Sequence, residues 1–442
     1  MRQINVLELF SGLGGTAQGA RRVGVDIDVA VDYSKIACDV YSANFGHTNV
    51  IHGDLMDCGA DNYVDPLGLP PATVLLASPS CTHHSLANLK RMYTRSRQLS
   101  LLGETEEEDV GEVAQRQVSE YSRQSMVVPL QYAAKHKPEL VLIENVVEVV
   151  RWGPDRDGST FLWWWNEWQK LDYRCRILSL NSQFFPVVPQ SRDRVFIVCW
   201  KQGNREPALD FTPGTVCMSD VCSGNIIEAQ QAWKSDLAYG RLDYKVGKYG
   251  QQYVYTCPCC HRRVYPQTWP ASSAIDWTDA GIPIGERAEH GLRPLSPATM
   301  ERIRRALAKF STDTGNRNTS TLVANESDSS TTGRAPALFI KNNGGTFVSH
   351  TVSDPLCTIT AHDTTGLIIR TRTSTAIDED IQAVSYRMLK ADPELRKASD
   401  FDYDYVFTCG AKQMEVGLGN AVIPAVASWV ISRMLESLEP GN

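Results

Sequence analysis

Over the first two hundred residues, short apolar runs alternate with amphipathic stretches, and the rhythm then stops. The runs at 4–10, 25–31, 50–52 and 73–77 are β-branched or leucine-rich and end at Gly, Asp or Pro, the pattern of buried strands. Stretches at 16–23, 34–44 and 125–135 have helical character. Further strands are predicted at 138–146, 174–180 and 195–200. The aromatic helix predicted at 160–171, with Trp163, Trp164, Trp165 and Trp168, suits packing better than base stacking. This alternation predicts an α/β fold around a mixed, mostly parallel sheet.

From about residue 201 to 404 the pattern becomes irregular. It holds a helix at 296–310, a polar tract at 311–333, and strands with turns within 335–347 and 349–369. A last helix at 421–438, apolar at helical spacing, is expected to return to the first unit. The predicted organisation is a discontinuous domain (1–204 with 405–442) and a smaller irregular α+β domain (205–404).

Charge narrows the functional classes only locally. Lys and Arg number 44 against 51 Asp and Glu, a net charge of −7, so any nucleic acid must be met by a local basic surface. Twelve cysteines are scattered without secretory context, and reduced thiols in a cytoplasm are expected. Neither a signal peptide nor an apolar run of about eighteen residues, the membrane-spanning minimum, is discernible, so no membrane partner is expected.

Candidate chemistry collects at strand ends. Ser11-Gly12-Leu13-Gly14-Gly15 follows the first strand and opens a helix, where glycines admit a ligand close to the backbone. Asp32 ends the second strand about twenty residues later, suited to ribose hydroxyls. Asp54 follows the third strand and is placed for an adenine amino group. The pair describes an adenosine pocket, and the loop lacks the third glycine of a dinucleotide site. Cys81 sits in the turn after the fourth strand, behind Ser78-Pro79-Ser80. It is a candidate nucleophile or else a buried structural thiol. Glu144 ends the fifth strand, suited to holding a proton. Arg192 and Arg194 lead into the last strand, suited to a carbonyl oxygen or a phosphate. Lys90, Arg91, Arg95 and Arg97 are candidates for phosphate contacts by a lid.

Glu8-Leu-Phe-Ser-Gly-Leu-Gly-Gly15, Ser78-Pro-Ser-Cys81, Glu144-Asn-Val146, Gln190-Ser-Arg-Asp-Arg194 and Gly417-Leu-Gly-Asn420-Ala-Val422 occur in that order. The set resembles the DNA (cytosine-5)-methyltransferases, over nearly the whole chain. The resemblance implies a Rossmann-like class I methyltransferase sheet and S-adenosylmethionine as cofactor. It also implies a duplex DNA partner, with the target cytosine flipped out. By that resemblance Cys81 would attack C6 of the cytosine, Glu144 would hold and protonate N3, and Arg194, supported by Arg192, would bind the base carbonyl. Phe10, Gly12, Gly14, Gly15, Asp32, Tyr33, Asp54, Leu55, Ser78, Asn420 and Val422 would surround the cofactor. A cognate restriction enzyme and a monomeric state fit the same picture.

The chain departs from the family pattern at Ser80 and Thr82, which flank Cys81 where a proline and a glutamine are usual. Glu8 and Asp32 exchange one acid for the other. A Cys81–His84 hydrolase-like pair competes for that turn, but it leaves the other motifs unexplained. For the chain as a whole, a silent DNA-binding protein, a nicotinamide-dependent oxidoreductase and an RNA methyltransferase are the competing functions. In the second half, 354–360 looks like part of a target-recognition region. The stretches 275–277 and 294–305 look like an extended form seen in phage and actinobacterial members. Cys257 and Cys260 are spaced as half of a structural zinc site; a second pair at ribbon spacing is missing, since Cys217 and Cys222 form a C-x4-C forty residues upstream and His261 is only adjacent. Lys341, Arg370 and Arg372 are candidates for phosphate or base contacts.

Overall fold

The computed structural model describes residues 4–80, 124–154, 156–235, 245–311, 337–341, 348–370 and 381–438. Its central sheet is built from β1 (Val6–Leu9), β2 (Val29–Asp32), β3 (Asn49–His52), β4 (Val74–Ala77), β5 (Leu140–Asn145) and β6 (Tyr173–Asn181). Past a two-residue β7 (Gln190–Ser191), the strand β8 (Asp193–Lys201) completes it. The spatial order is β3-β2-β1-β4-β5-β8-β6. Neighbours from β3 to β5 run parallel, and β8 lies antiparallel between β5 and β6.

Every residue of β1, β2, β4 and β5 is buried, as a parallel sheet covered on both faces requires. The period of two sorts their side chains between two cores. Val6, Ala30, Val74, Leu76, Leu140 and Leu142 face helices α1 (Gly15–Arg22) and α2 (Lys35–Asn44). Leu7, Leu9, Val31, Leu75, Val141 and Ile143 face α3 (Val127–His136) and α4 (Ser159–Lys170). In α4, Trp164, Trp165 and Trp168 are buried and Trp164 donates to the Met126 carbonyl, so these three pack as expected, whereas Trp163 is 46% exposed. The chain leaves β1 toward β2 on one side, while β4 lies on the other. The C-terminal ends of β1 and β4 therefore frame a switch point, where open α/β sheets bind ligands.

The second half forms smaller sheets. One is a hairpin of β9 (Gly214–Cys217) and β10 (Asn225–Glu228). Another joins β11 (Gln230–Trp233), β12 (Tyr253–Thr256) and β13 (Arg263–Val264). A five-stranded sheet contains β14 (Ile282–Pro283), β15 (Ala337–Lys341), β16 (Ser349–Thr351), β18 (Thr365–Ile369) and β19 (Ser385–Met388). Helix α5 (Pro297–Ser311) buries Ile303, Ala306 and Leu307 against it. The short β17 (Leu356–Cys357) pairs with β7, fastening this half to the end of the central sheet.

Several expectations are corrected. The second strand starts at Val29 because Asp28 ends a turn, its carboxylate accepting from the Val6 N–H. The last helix starts at Pro424, at its own first turn, and a separate helix precedes it. These are α6 (Ala411–Asn420) and α7 (Pro424–Glu436). Together they are long and apolar enough to cross a membrane, but they break at 421–423 and much of the stretch is buried within the protein. Cys175 and Cys199 face each other in the β6–β8 register and form a disulfide, contrary to the expectation of reduced thiols. Lys341 is bound to the Thr358 carbonyl and Asp363, and Arg370 is buried with a bond to the Leu307 carbonyl. Neither faces outward for phosphate, and Arg372 lies outside the described residues.

Candidate active site

The glycine loop is shaped by backbone that L side chains seldom adopt. Phe10, Gly12 and Gly14 all have positive φ (56°, 51° and 81°), which turns the chain sharply from β1 into α1. The glycines differ in what surrounds them. A Cβ on Gly12 would meet nothing within 4 Å. One on Gly14 would stand 2.8 Å from Phe45 and Tyr405, and one on Gly15 would stand 2.1 Å from the Val422 carbonyl. Gly12 thus borders open space at the switch point. Gly14 and Gly15 let α1 close against the returning C-terminal segment.

Asp32 is built into this loop. One carboxylate oxygen accepts from the Gly12 N–H and the other from the Ser34 N–H, both at 2.8 Å. Burial raises its pKa while those two bonds oppose the rise. Each oxygen keeps a second lone pair for a hydroxyl donor. Tyr33 beside it is 71% exposed. Asp54 accepts from the N–H groups of Met56 and Asp57, and Leu55 is buried. Both acids therefore stand on the same sheet edge as the glycine loop.

On the other side of the switch point, the Ser78 N–H donates to the Leu9 carbonyl at 3.1 Å as the chain leaves β4. Asn145, at the end of β5, donates its side-chain amide to the Pro79 carbonyl at 3.2 Å. The segment 78–80, which leads toward Cys81, is thereby held to the strand that carries Glu144. Cys81 itself lies outside the described residues, as do His83, His84, Lys90, Arg91, Arg95 and Arg97.

Glu144 is buried next to that segment, and Arg194 of β8 places its Nε 3.1 Å from the carboxylate. Burial raises the Glu144 pKa, and the charges of Arg194 and Arg192 pull it back. The two arginines have different work. Arg192 is 2% exposed, and its guanidinium donates to the carbonyls of Ile359, Gly419 and Ala421, at 3.0, 3.0 and 3.1 Å. It holds the chain's later segments on the sheet, and its charge also acts on Glu144 beside Arg194. Asn420 is exposed at the end of α6, and buried Val422 touches the Gly15 backbone.

Away from this edge, Cys257 and Cys260 do have a second pair. Cys217 and Cys222 join them, with all four sulfurs within 4.8 Å of one another. Cys217 and Cys222 are the C-x4-C pair forty residues upstream, off ribbon spacing, and a hairpin and a three-stranded sheet bring the two pairs together.

The profile of the C-5 cytosine-specific DNA methylase family matches residues 4–107 and 115–436. Among curated proteins, the chain is 26% identical over 222 residues to the type II methyltransferase M.Bsp6I of Bacillus sp. (strain RFL6). That match covers 49% of this chain and 60% of that protein. It is 22% identical over 198 residues to the type II methyltransferase M.HhaI of Haemophilus parahaemolyticus, covering 45% and 49%. Against the orphan methyltransferase M.SPBetaI of Bacillus phage SPbeta the identity is 26% over 214 residues, 45% of each chain. The matches thus span 60% or less of these relatives. Among solved structures, an S. pombe Dnmt2 methyltransferase aligns with a TM-score of 0.50 at 14% identity, covering 99% of each chain, a likeness of fold.

Proposed function

Because the chain belongs to the C-5 cytosine-specific DNA methylase family, we propose that it moves a methyl group from S-adenosylmethionine to C5 of a cytosine flipped out of duplex DNA. The observation that carries this reading is the buried Glu144–Arg194 pair, set beside the tethered Ser78-Pro79-Ser80 turn on the edge that also bears the glycine loop. The residues present fit the cofactor. Open space lies over Gly12, Asp32 has acceptor sites left beside it, and Phe10 and the start of α1 flank Gly12 in the chain. Tyr33, Asp54, Leu55, Ser78, Asn420 and Val422 complete the proposed pocket. When bound there, the cofactor supplies an electrophilic methyl group.

The chain's own residues make the base reactive. Cytosine C5 is a poor nucleophile until C6 carries an adduct. The Cys81 thiolate would form the C6–S bond while Glu144 gives a proton to N3, leaving C5 as an enamine carbon. Arg194 would hold Glu144 and the base carbonyl together. After methylation, loss of the C5 proton expels the sulfur and restores the ring. A base inside a duplex cannot be reached this way, so flipping belongs to the proposal. Cys257 and Cys260 are its candidate zinc ligands.

A duplex library carrying 5-fluorocytosine, incubated with protein and cofactor, tests the reading. Fluorine cannot leave as a proton does, so a covalent protein–DNA complex is expected with wild type and none with Cys81→Ala. Binding to DNA without label transfer would support a silent DNA-binding protein instead, and trapping only on the RNA counterpart would change the polymer. An adduct that persists in Cys81→Ala would remove Cys81 from its role.

A further inference from the structure

The four cysteines of the second half are set out as a metal site. A tetrahedral zinc with Zn–S bonds of about 2.3 Å has its sulfurs about 3.8 Å apart. The observed separations are 3.6 Å for Cys217–Cys260 and 3.7 Å for Cys222–Cys257, and neither pair is a disulfide. Cys217, Cys222 and Cys257 are buried, whereas the neighbouring Cys259 is exposed and outside the cluster. The backbone is bent to suit. Ser223 and Gly224 follow Cys222 with φ of 48° and 81°, and His261 follows Cys260 with φ of 57°, so the chain reverses after each pair. The Ser219 hydroxyl lies 3.3 Å from the Cys217 sulfur and 3.2 Å from that of Cys260, an outer partner for thiolate ligands. The rest of this small core is aromatic and aliphatic, Phe184, Tyr253, Tyr255 and Val264 among it. So few apolar side chains need a staple.

We propose that Cys217, Cys222, Cys257 and Cys260 bind one structural zinc ion, which braces the strand of the arginine pair. Four thiols lose their protons to the solvent as the metal binds, and nothing is oxidised or reduced. Among the described residues, three hydrogen bonds join the zinc-held unit to the central sheet. The Gly247 N–H donates to the Ser179 hydroxyl at 3.0 Å, and the Gln231 side chain donates to the Ser179 carbonyl at 3.1 Å. The Tyr249 N–H donates to the Asp193 carboxylate at 2.9 Å. Lys248 adds an ion pair with Glu148, just past Glu144. Asp193 lies between Arg192 and Arg194, so the bracing reaches the candidate active site from behind.

Metal analysis of the full chain, purified after growth with zinc, tests the assignment without any assay of methyl transfer. One zinc per chain is expected, and cobalt exchanged for it should give the absorption of tetrahedral thiolate coordination. Cys222→Ser with Cys257→Ser should abolish retention, while Cys58→Ser with Cys259→Ser keeps it. If the first double variant does not fold, the metal ratio and cobalt spectrum of wild type decide alone. Wild type without retained or recoverable zinc, bound iron in its place, or a mass deficit of four hydrogens from two disulfides among these cysteines would each overturn the site. Stripping the metal should speed hydrogen exchange at the Gly247 and Tyr249 amides about tenfold or more, with β1 and β4 unchanged. Equal exchange with and without metal would overturn the bracing role.

Discussion

Glu8 and Glu144 are both buried carboxylates on the central sheet, and their neighbours set them apart. Glu8 has the Tyr41 hydroxyl at 2.7 Å and no cation among its partners in the described residues, and burial pushes its pKa up to about 8. Folded protein therefore keeps a proton that the unfolded chain releases above about 4.5. With more protons on the folded state, stability falls as pH rises through this window, by about 1.4 kcal/mol per pH unit. Glu8→Gln keeps an acceptor for Tyr41 and has no proton to lose. Urea midpoints from pH 5 to 8 should decline more steeply for wild type than for this variant; parallel declines would count against a protonated Glu8. At Glu144 the arginines oppose burial. If Glu144 protonates N3, its loss of a proton ends activity at high pH. Glu144→Gln should lower kcat by about a hundredfold or more. Arg194→Ala should slow the enzyme, yet move the alkaline limb of kcat/KM to higher pH, because the charge that lowers the Glu144 pKa is gone. A limb that stays put would detach Glu144 from the proton transfer.

At the scale of elements, the glycine loop shows how similar residues do unlike things. Gly15→Ala drives a methyl group into the Val422 carbonyl, a backbone atom with no side chain to swing aside. It should cost about 3 kcal/mol, at the upper end for overpacking. Gly12→Ala meets no atom and pays only for its left-handed backbone, about 1–2 kcal/mol. Its heavier effect should be on cofactor affinity, measured by calorimetry, since its methyl group enters the space assigned to the cofactor. The strands were legible because residues buried on both faces leave near-continuous apolar runs, as in Val74–Ala77 and Leu140–Asn145. The acids were legible because they end such runs. The two cysteine pairs were legible as C-x4-C and C-x2-C spacings, but their meeting was not, since they lie in different sheets and no periodicity links the two. Nor was the use of Arg192: its type suits a base or three carbonyls equally, and only the fold supplies the carbonyls.

Across the whole molecule, residues 400–425 are stitched to residues 13–45. Arg22 pairs with Asp400 and Asp402, and Asp400 also accepts from the Ala425 N–H at the start of α7. Tyr405 donates to the Leu13 carbonyl, and Asn44 exchanges two hydrogen bonds with Val406. Arg192 closes the circuit between Ile359 and the α6–α7 break. Its position therefore decides where Asn420 and Val422 stand against the glycine loop. Arg192→Lys keeps the charge but gives up the planar fork, and one ammonium cannot serve three carbonyls in that geometry. Each buried carbonyl left without a donor costs about 1–3 kcal/mol, so a loss of at least 2 kcal/mol is expected in urea unfolding. Hydrogen exchange should locate the damage in α6 and α7, while β1 and β4 keep their protection. A variant as stable as wild type, with α6 and α7 still protected, would mean that the helix contacts on α1 hold the chain's return without Arg192.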